Sequence, residues 1–166
     1  DDTGNFLNLP YFNGDNTTRY AFNNNGEAVN LEDFFVLHTS NCIDIDSYAG
    51  FDHKKLVNKT ISLQLPLVVC RSKSGGAHVF LFTESYVSAK LMQDRLTQIK
   101  AVLGYSGSEV FPKQTELKSE DDTGNFLNLP YFNGDNTTRY AFNNNGEAVN
   151  LEDFFVLHTS NCIDAE

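Results

Sequence analysis

Leu65-Pro-Leu-Val-Val-Cys-Arg71, then Ser72-Lys-Ser-Gly-Gly76, then Ala77-His-Val-Phe-Leu-Phe82: two short apolar runs meet across a Gly-Gly turn. The first run carries Val68 and Val69 and has Pro66 near its start, where a missing N–H is tolerated. The second returns with apolar residues around His78. Strand, glycine turn and strand make a β-hairpin. Upstream, Ser40–Ser47 holds Cys-Ile-Asp-Ile-Asp, an alternation that suits a strand with Asp44 and Asp46 on one face. Between strand and hairpin, Asp52–Asn58 reads as a short polar helix. Downstream, Ser85–Leu103 reads as a helix with an apolar face of Val87, Leu91, Leu96, Ile99, Val102 and Leu103, stopped by Gly104. Glu109–Phe111 and Asn125–Tyr131 read as strands. Arg139–Phe142 and Glu147–Val149 flank Asn-Asn-Asn-Gly as a second hairpin. Asn150 then caps a short helix through Leu157, with Glu152 and Asp153 in its first turn. Strands mixed with helices predict an α+β domain, a mixed or antiparallel sheet with flanking helices.

Residues 1–44 and 121–164 are the same 44-residue string. Natural repeats diverge, so this identity points to a recent duplication or an engineered fragment. The chain is therefore read as residues 1–43, a duplicate of the C-terminal segment, followed by a core at 44–164. The second copy is expected to pack on the central sheet in its own chain. The first is expected to be less buried or engaged with another molecule, which makes a domain-swapped homo-oligomer one expected assembly. Each copy carries seven acids and one base, whereas Ile45–Glu120 carries seven acids and ten bases. The net charge of −10 thus hides a basic centre. The longest strongly apolar stretch, Leu63–Cys70, is too short to span a membrane. No signal peptide is visible and no Cys-x-x-Cys pair occurs, so a reducing cytoplasm is the expected setting.

Three constellations could carry chemistry. Two carboxylates at alternate positions of a strand, Asp44 and Asp46, can converge on a hard cation, although they would equally suit a solvated strand end. Ser72–His78 could cradle phosphate, its glycines admitting oxygens while Ser74 and Lys73 donate, or it could be an ordinary hairpin with an incidental histidine. Glu109-Val-Phe-Pro-Lys-Gln114 and Gly124-Asn-Phe-Leu-Asn-Leu-Pro-Tyr131 add an acid and a lysine, and otherwise read as packed strands. His53 reads as solvated, and His38 and His158 as structural. Tyr131 and Phe132 are core aromatics or base-stacking rings. An incomplete calcium loop at Ala21–Glu32 lacks its first ligand.

Taken in order, these motifs resemble the archaeo-eukaryotic primase (AEP) superfamily, most closely the phage and mobile-element primase–polymerases, including primase domains of TOTE-type conflict systems. Asp44 and Asp46 match its Asp-x-Asp motif, and Ser74–His78 its Ser-x-His-type motif. Glu109–Gln114 and Gly124–Pro130 match stretches of this branch. The resemblance covers roughly residues 44–157 and implies an RRM-like catalytic core. It implies a DNA primase–polymerase that transfers a nucleotide from an NTP or dNTP to a 3′-hydroxyl on a DNA template during DNA replication. Asp44, Asp46 and a third acid would hold Mg²⁺ or Mn²⁺. That third ligand is Glu109, where the family usually has aspartate, or the non-acidic Asn128. Ser74, Gly75 and His78 would contact the triphosphate, with His78 expected to face Asp46 across an open cleft and Lys73, Arg71, Lys113 and Arg139 as further phosphate neighbours. The resemblance also implies a helicase partner or an attached helicase domain, and the host cytoplasm if phage-encoded. The alternatives are a nucleotide- or nucleic-acid-binding module without turnover, and a duplicated fragment whose role is oligomerisation.

Overall fold

The computed structural model describes residues 41–47, 50–85, 87–115, 127–128, 130–131 and 134–164. In chain order these form β1 (Asn41–Ile45), α1 (His53–Ser62), β2 (Val68–Arg71), β3 (Ala77–Leu81), α2 (Ala89–Leu103) and β4 (Glu109–Phe111). A 3₁₀ turn (Gly134–Asn136) and α3 (Leu151–Asn161) follow. The strands make one sheet in the order β2-β3-β1-β4, every neighbouring pair antiparallel. The architecture is α+β. Each β-α-β pair is split, with a third strand inserted between its two members, which is the ferredoxin-like arrangement.

Alternation along the strands sorts the residues into two layers. Ile43, Ile45, Val69, Ala77, Val79 and Leu81 face α1 and α2 and pack on Leu56, Val57, Met92, Leu96, Ile99 and Leu103. Cys42, Val68, Cys70, Phe80 and Phe111 face the other way, onto Tyr131, Ala141 and Phe154. A fully buried aliphatic side chain contributes about 1.5–3 kcal/mol. An exposed pair such as Lys90–Asp94 on α2 contributes about 0.3–0.5 kcal/mol, so the two layers hold the domain.

The helices differ from the sequence reading in ways the contacts explain. α1 runs to Ser62, past the expected Asn58. It is capped by Asp52, whose carboxylate accepts from Lys55 N at 2.9 Å, and it buries Leu56, Val57 and Thr60. α2 starts at Ala89, not Ser85, because Ser88 is its cap and the backbone before it is already engaged. Thr83 bridges Ile163 in parallel, and Glu84 N donates to Ile163 O. Its buried stripe is Met92, Leu96, Ile99 and Leu103. Of the expected face, Leu96, Ile99 and Leu103 are buried and Val87 packs on the core, whereas Leu91 and Val102 are each 57% exposed. Gly104 closes the helix in the left-handed region, at φ 85°. α3 extends to Asn161, beyond Leu157.

The second copy of the repeated string seats on this sheet. Ala141 bridges Cys70 at the outer edge of β2, Arg71 N donates to Tyr140 O, and Phe142 N donates to Val69 O. Phe142 and Ala148 close the expected hairpin around Asn143–Gly146. Phe154 from α3 lies 5.0 Å from the Tyr131 ring and 6.4 Å from Phe82. The described part of the expected strand Asn125–Tyr131 is turn and irregular chain instead. Its Tyr131 hydroxyl is committed to holding two segments together, donating to Val149 O at 2.8 Å and accepting from Ala141 N at 2.9 Å. The expectations for the first copy before Asn41, with His38 and the calcium-like loop, lie outside the described residues.

One tetrapeptide appears twice. Asn41-Cys-Ile-Asp44 is most of the central strand β1, whereas Asn161-Cys-Ile-Asp164 ends α3 and then forms the Thr83 bridge.

Candidate functional site

Strand register builds a row of polar groups across one face of the sheet. Cys70 is opposite His78, His78 opposite Asp44, and Asp44 opposite Glu109. Residues directly opposite in a ladder share a face. The row therefore belongs to the face that the second copy covers, at the end where β1 stops. His78 is 7% exposed, and its Nε2 lies 3.2 Å from Asp44 Oδ1, whose side chain is 22% exposed. The expectation that His78 would face Asp46 across an open cleft is corrected. Register places His78 beside Asp44, and Asp46 lies one residue past the last paired residue of β1.

Glu109 sits on the edge strand β4, and its carboxylate pairs with Lys113 at 2.6 Å. Lys113 also lies over the Phe111 ring, 5.0 Å from its centroid. Asp44, Asp46 and Glu109 line one open cleft of about 510 Å³. Ile45, Ser47, Phe51 and the Gly104–Ser108 loop between α2 and β4 complete its lining. Lys100 holds this loop by donating to Ser108 O, and Lys59 donates to Leu103 O.

The glycine turn borders the same end of the sheet. Ser72 N donates to Gly76 O, Gly75 N donates to Ser72 O, and the hydroxyls of Ser72 and Ser74 are 3.0 Å apart. Gly75 has φ 97°. Gly76 is required for a different reason: a Cβ there would lie 2.0 Å from Ile45 O and 2.9 Å from Ser47 N. The turn is thus pressed against the backbone that carries Asp46. Lys73 and Ser74 are exposed at its tip.

His53 was expected to be solvated and is not. Its Nε2 is 2.9 Å from Gly76 O, its ring stacks on Phe142 at 4.6 Å, and Phe51 meets its edge at 4.9 Å. It joins α1, the glycine turn and the C-terminal hairpin. The sequence signal for it was only its place next to the Asp52 cap. His158 is structural, as expected: it packs 4.4 Å from Phe82, and burial lowers its pKa.

Other candidates are placed elsewhere. Arg71 donates to Thr138 O at 3.0 Å and to Ser72 O at 3.3 Å, clipping the C-terminal segment to the hairpin. Arg139 donates to Asn128 Oδ1 at 3.0 Å, within the C-terminal segment and outside the row. Tyr131 is a core residue, 8% exposed, with its pKa pushed up to about 12 mainly by burial. Phe132 lies outside the described residues. Burial raises the thiol pKa of Cys42 well above the usual value, with Asp44 and Cys70 adding to the effect, and burial alone raises Cys70.

Among the described residues no group of three His, Cys, Asp or Glu is set to hold a metal ion. The three acids share a cleft, but Asp44 is engaged with His78 and Glu109 with Lys113. As arranged they do not form a divalent-metal site. No described helix is long and apolar enough to cross a membrane. Comparisons with family models, curated proteins and solved structures returned no match to this chain.

Proposed function

We propose that this chain is a primase–polymerase-type nucleotidyltransferase domain, acting on a nucleoside triphosphate and a DNA template. One observation carries the reading: Asp44, His78 and Glu109 stand in a single row at one end of a split β-α-β sheet, beside a glycine turn. The resemblance to the AEP superfamily implies an RRM-like core, and a split β-α-β sheet is compatible with one. In this reading the chain's own groups have separate tasks. His78 holds the Asp44 carboxylate at the end of the sheet that the turn borders. Ser74, Gly75 and Lys73 meet the triphosphate, because an exposed tip with a hydroxyl, a glycine backbone and an ammonium suits phosphate oxygens. Asp44, Asp46 and Glu109 supply the negative charge that Mg²⁺ or Mn²⁺ would need. A bound ion would have to draw Asp44 from His78 and Glu109 from Lys113. A helicase partner and a host-cytoplasmic setting belong to the same reading.

The pairing of Glu109 with Lys113 favours a second reading, a nucleotide- or nucleic-acid-binding module without turnover. Template-dependent primer extension with Mn²⁺ separates the two. Incorporation that disappears in Asp44→Asn supports the enzyme. Nucleotide binding without incorporation supports the module. Absence of both refutes the two together. Mass in solution tests whether an oligomerising fragment is the better description.

A further inference from the structure

The cleft has a wall that the row does not use. Phe51 and Tyr105 line it from the helix side, their ring centroids 6.1 Å apart and tilted by 41°. Both rings are half-buried against the core under α1 and α2, which fixes them in place. Behind them the rings continue, Phe51 against His53 and His53 against Phe142, back to the C-terminal hairpin. The Gly104–Ser108 loop that carries Tyr105 also brings Ser106 and Ser108 into the lining. Gly107 has nothing within 4 Å of where a side chain would begin, so the loop leaves open space there.

Such a wall is chemically unlike the rest of the cleft. The carboxylates repel phosphate, and among the described residues no lysine or arginine lines it. A group that suits it is flat, uncharged and able to hydrogen-bond at its rim. A volume of about 510 Å³ falls within the range of small-molecule sites, about 300–1,000 Å³. We propose that this cleft is a nucleoside pocket: the base lies against Tyr105 and Phe51, and the sugar hydroxyls meet Ser106 and Ser108. The proposal rests on the nucleotidyltransferase reading and adds to it a residue, Tyr105, that senses the base and not the phosphates. Aromatic stacking is tolerant of base identity because every base has a π face. The pocket therefore selects for the presence of a base more than for its kind.

The test is calorimetry on the full chain with Mn²⁺ and three probes: ATP, base-free ribose 5′-triphosphate and inorganic triphosphate. ATP is expected to bind about tenfold more tightly than ribose 5′-triphosphate, within what one base–aromatic stack contributes. Tyr105→Ala is expected to remove that difference and leave inorganic triphosphate binding unchanged, whereas Tyr105→Phe retains it. The comparison of probes on the unaltered chain needs no variant, so a folding defect in Tyr105→Ala leaves the answer intact. Equal affinity for ATP and ribose 5′-triphosphate overturns the pocket while leaving the nucleotidyltransferase reading standing. So does a Tyr105→Ala loss that is equal for all three probes. If none of the three binds, that underlying reading fails instead, and the pocket with it.

Discussion

Replacing Gly76 with alanine tests the packing that brings the turn to the end of β1. The added Cβ would sit 2.0 Å from Ile45 O and 2.9 Å from Ser47 N, both backbone atoms. Neither can rotate away as a side-chain end would. Ile45 is 3% exposed and paired to Ala77, so the strand end cannot shift without breaking the ladder. Overpacking against side chains typically costs 1–3 kcal/mol, and backbone neighbours place this case at the top of that range, about 3 kcal/mol. For a domain of this size that is roughly a 10 °C fall in melting temperature. Gly75→Ala is the internal control. Its left-handed φ of 97° is unfavourable for alanine, yet the nearest atom to the added carbon is Arg71 Nη2, 3.5 Å away. Its cost is therefore about 1 kcal/mol. Urea unfolding of both variants gives the ranking directly. Gly76→Ala within about 0.5 kcal/mol of the parent, or less damaging than Gly75→Ala, would refute the close approach.

Tyr131→Phe removes the hydroxyl that serves Ala141 N and Val149 O, at a cost of about 1–3 kcal/mol from the buried groups left unpaired. Because the folded pKa of Tyr131 is raised above its usual 10.0 to about 12, its stabilisation is complete below pH 10 and fades as pH climbs through 12. Alkaline melts of Tyr131→Phe should lose that part of the slope. The lowered pKa of His158 has the opposite consequence, with stability complete above about pH 6.5 and lost as pH falls through the depressed value. His158→Gln should flatten the acid limb of the melting profile, and an unchanged limb would assign it to other groups. Deleting residues 1–39 should change the melt little, since the second copy already supplies Tyr131, Ala141 and Phe154 to the sheet. Deleting 121–166 should collapse it, and the reverse pattern would show that the copies are assigned the wrong way round.

Local pattern was enough to read the hairpin, β1, β4 and the end of α2, because each has a strong punctuating signal: a Gly-Gly turn, an Asp-x-Asp alternation, a proline, a glycine stop. The phase of α2 was harder. Counting Leu91 and Val102 as core follows hydrophobicity, but burial follows the stripe through Met92, and both residues face out. The length of α1 was hidden by its lysines, which leave only Leu56, Val57 and Thr60 to bury. At the site, alternation placed Asp44 on a polar face, but only the ladder decides its opposite neighbours. That is why His78 was matched to Asp46 in place of Asp44. His53 could not be read at all, since its partners, Gly76 and Phe142, are 23 and 89 positions away.

The tetrapeptide that occurs as both a central strand and a helix end gives the molecule a built-in reporter. Cys42 is fully buried in β1, whereas Cys162 is partly exposed, and burial raises the pKa of both thiols. An alkylating reagent therefore meets the same four residues in a closed and an open setting within one chain. Trypsin separates the two: cleavage after Arg19 and Lys54 releases Cys42, and cleavage after Arg139 releases Cys162 with the C-terminus. Carbamidomethylation should appear on the second peptide while the sheet is intact and spread to the first only as β1 opens. The ratio of the two labels then measures the opening of the strand that carries Asp44, with local sequence held constant by the duplication itself.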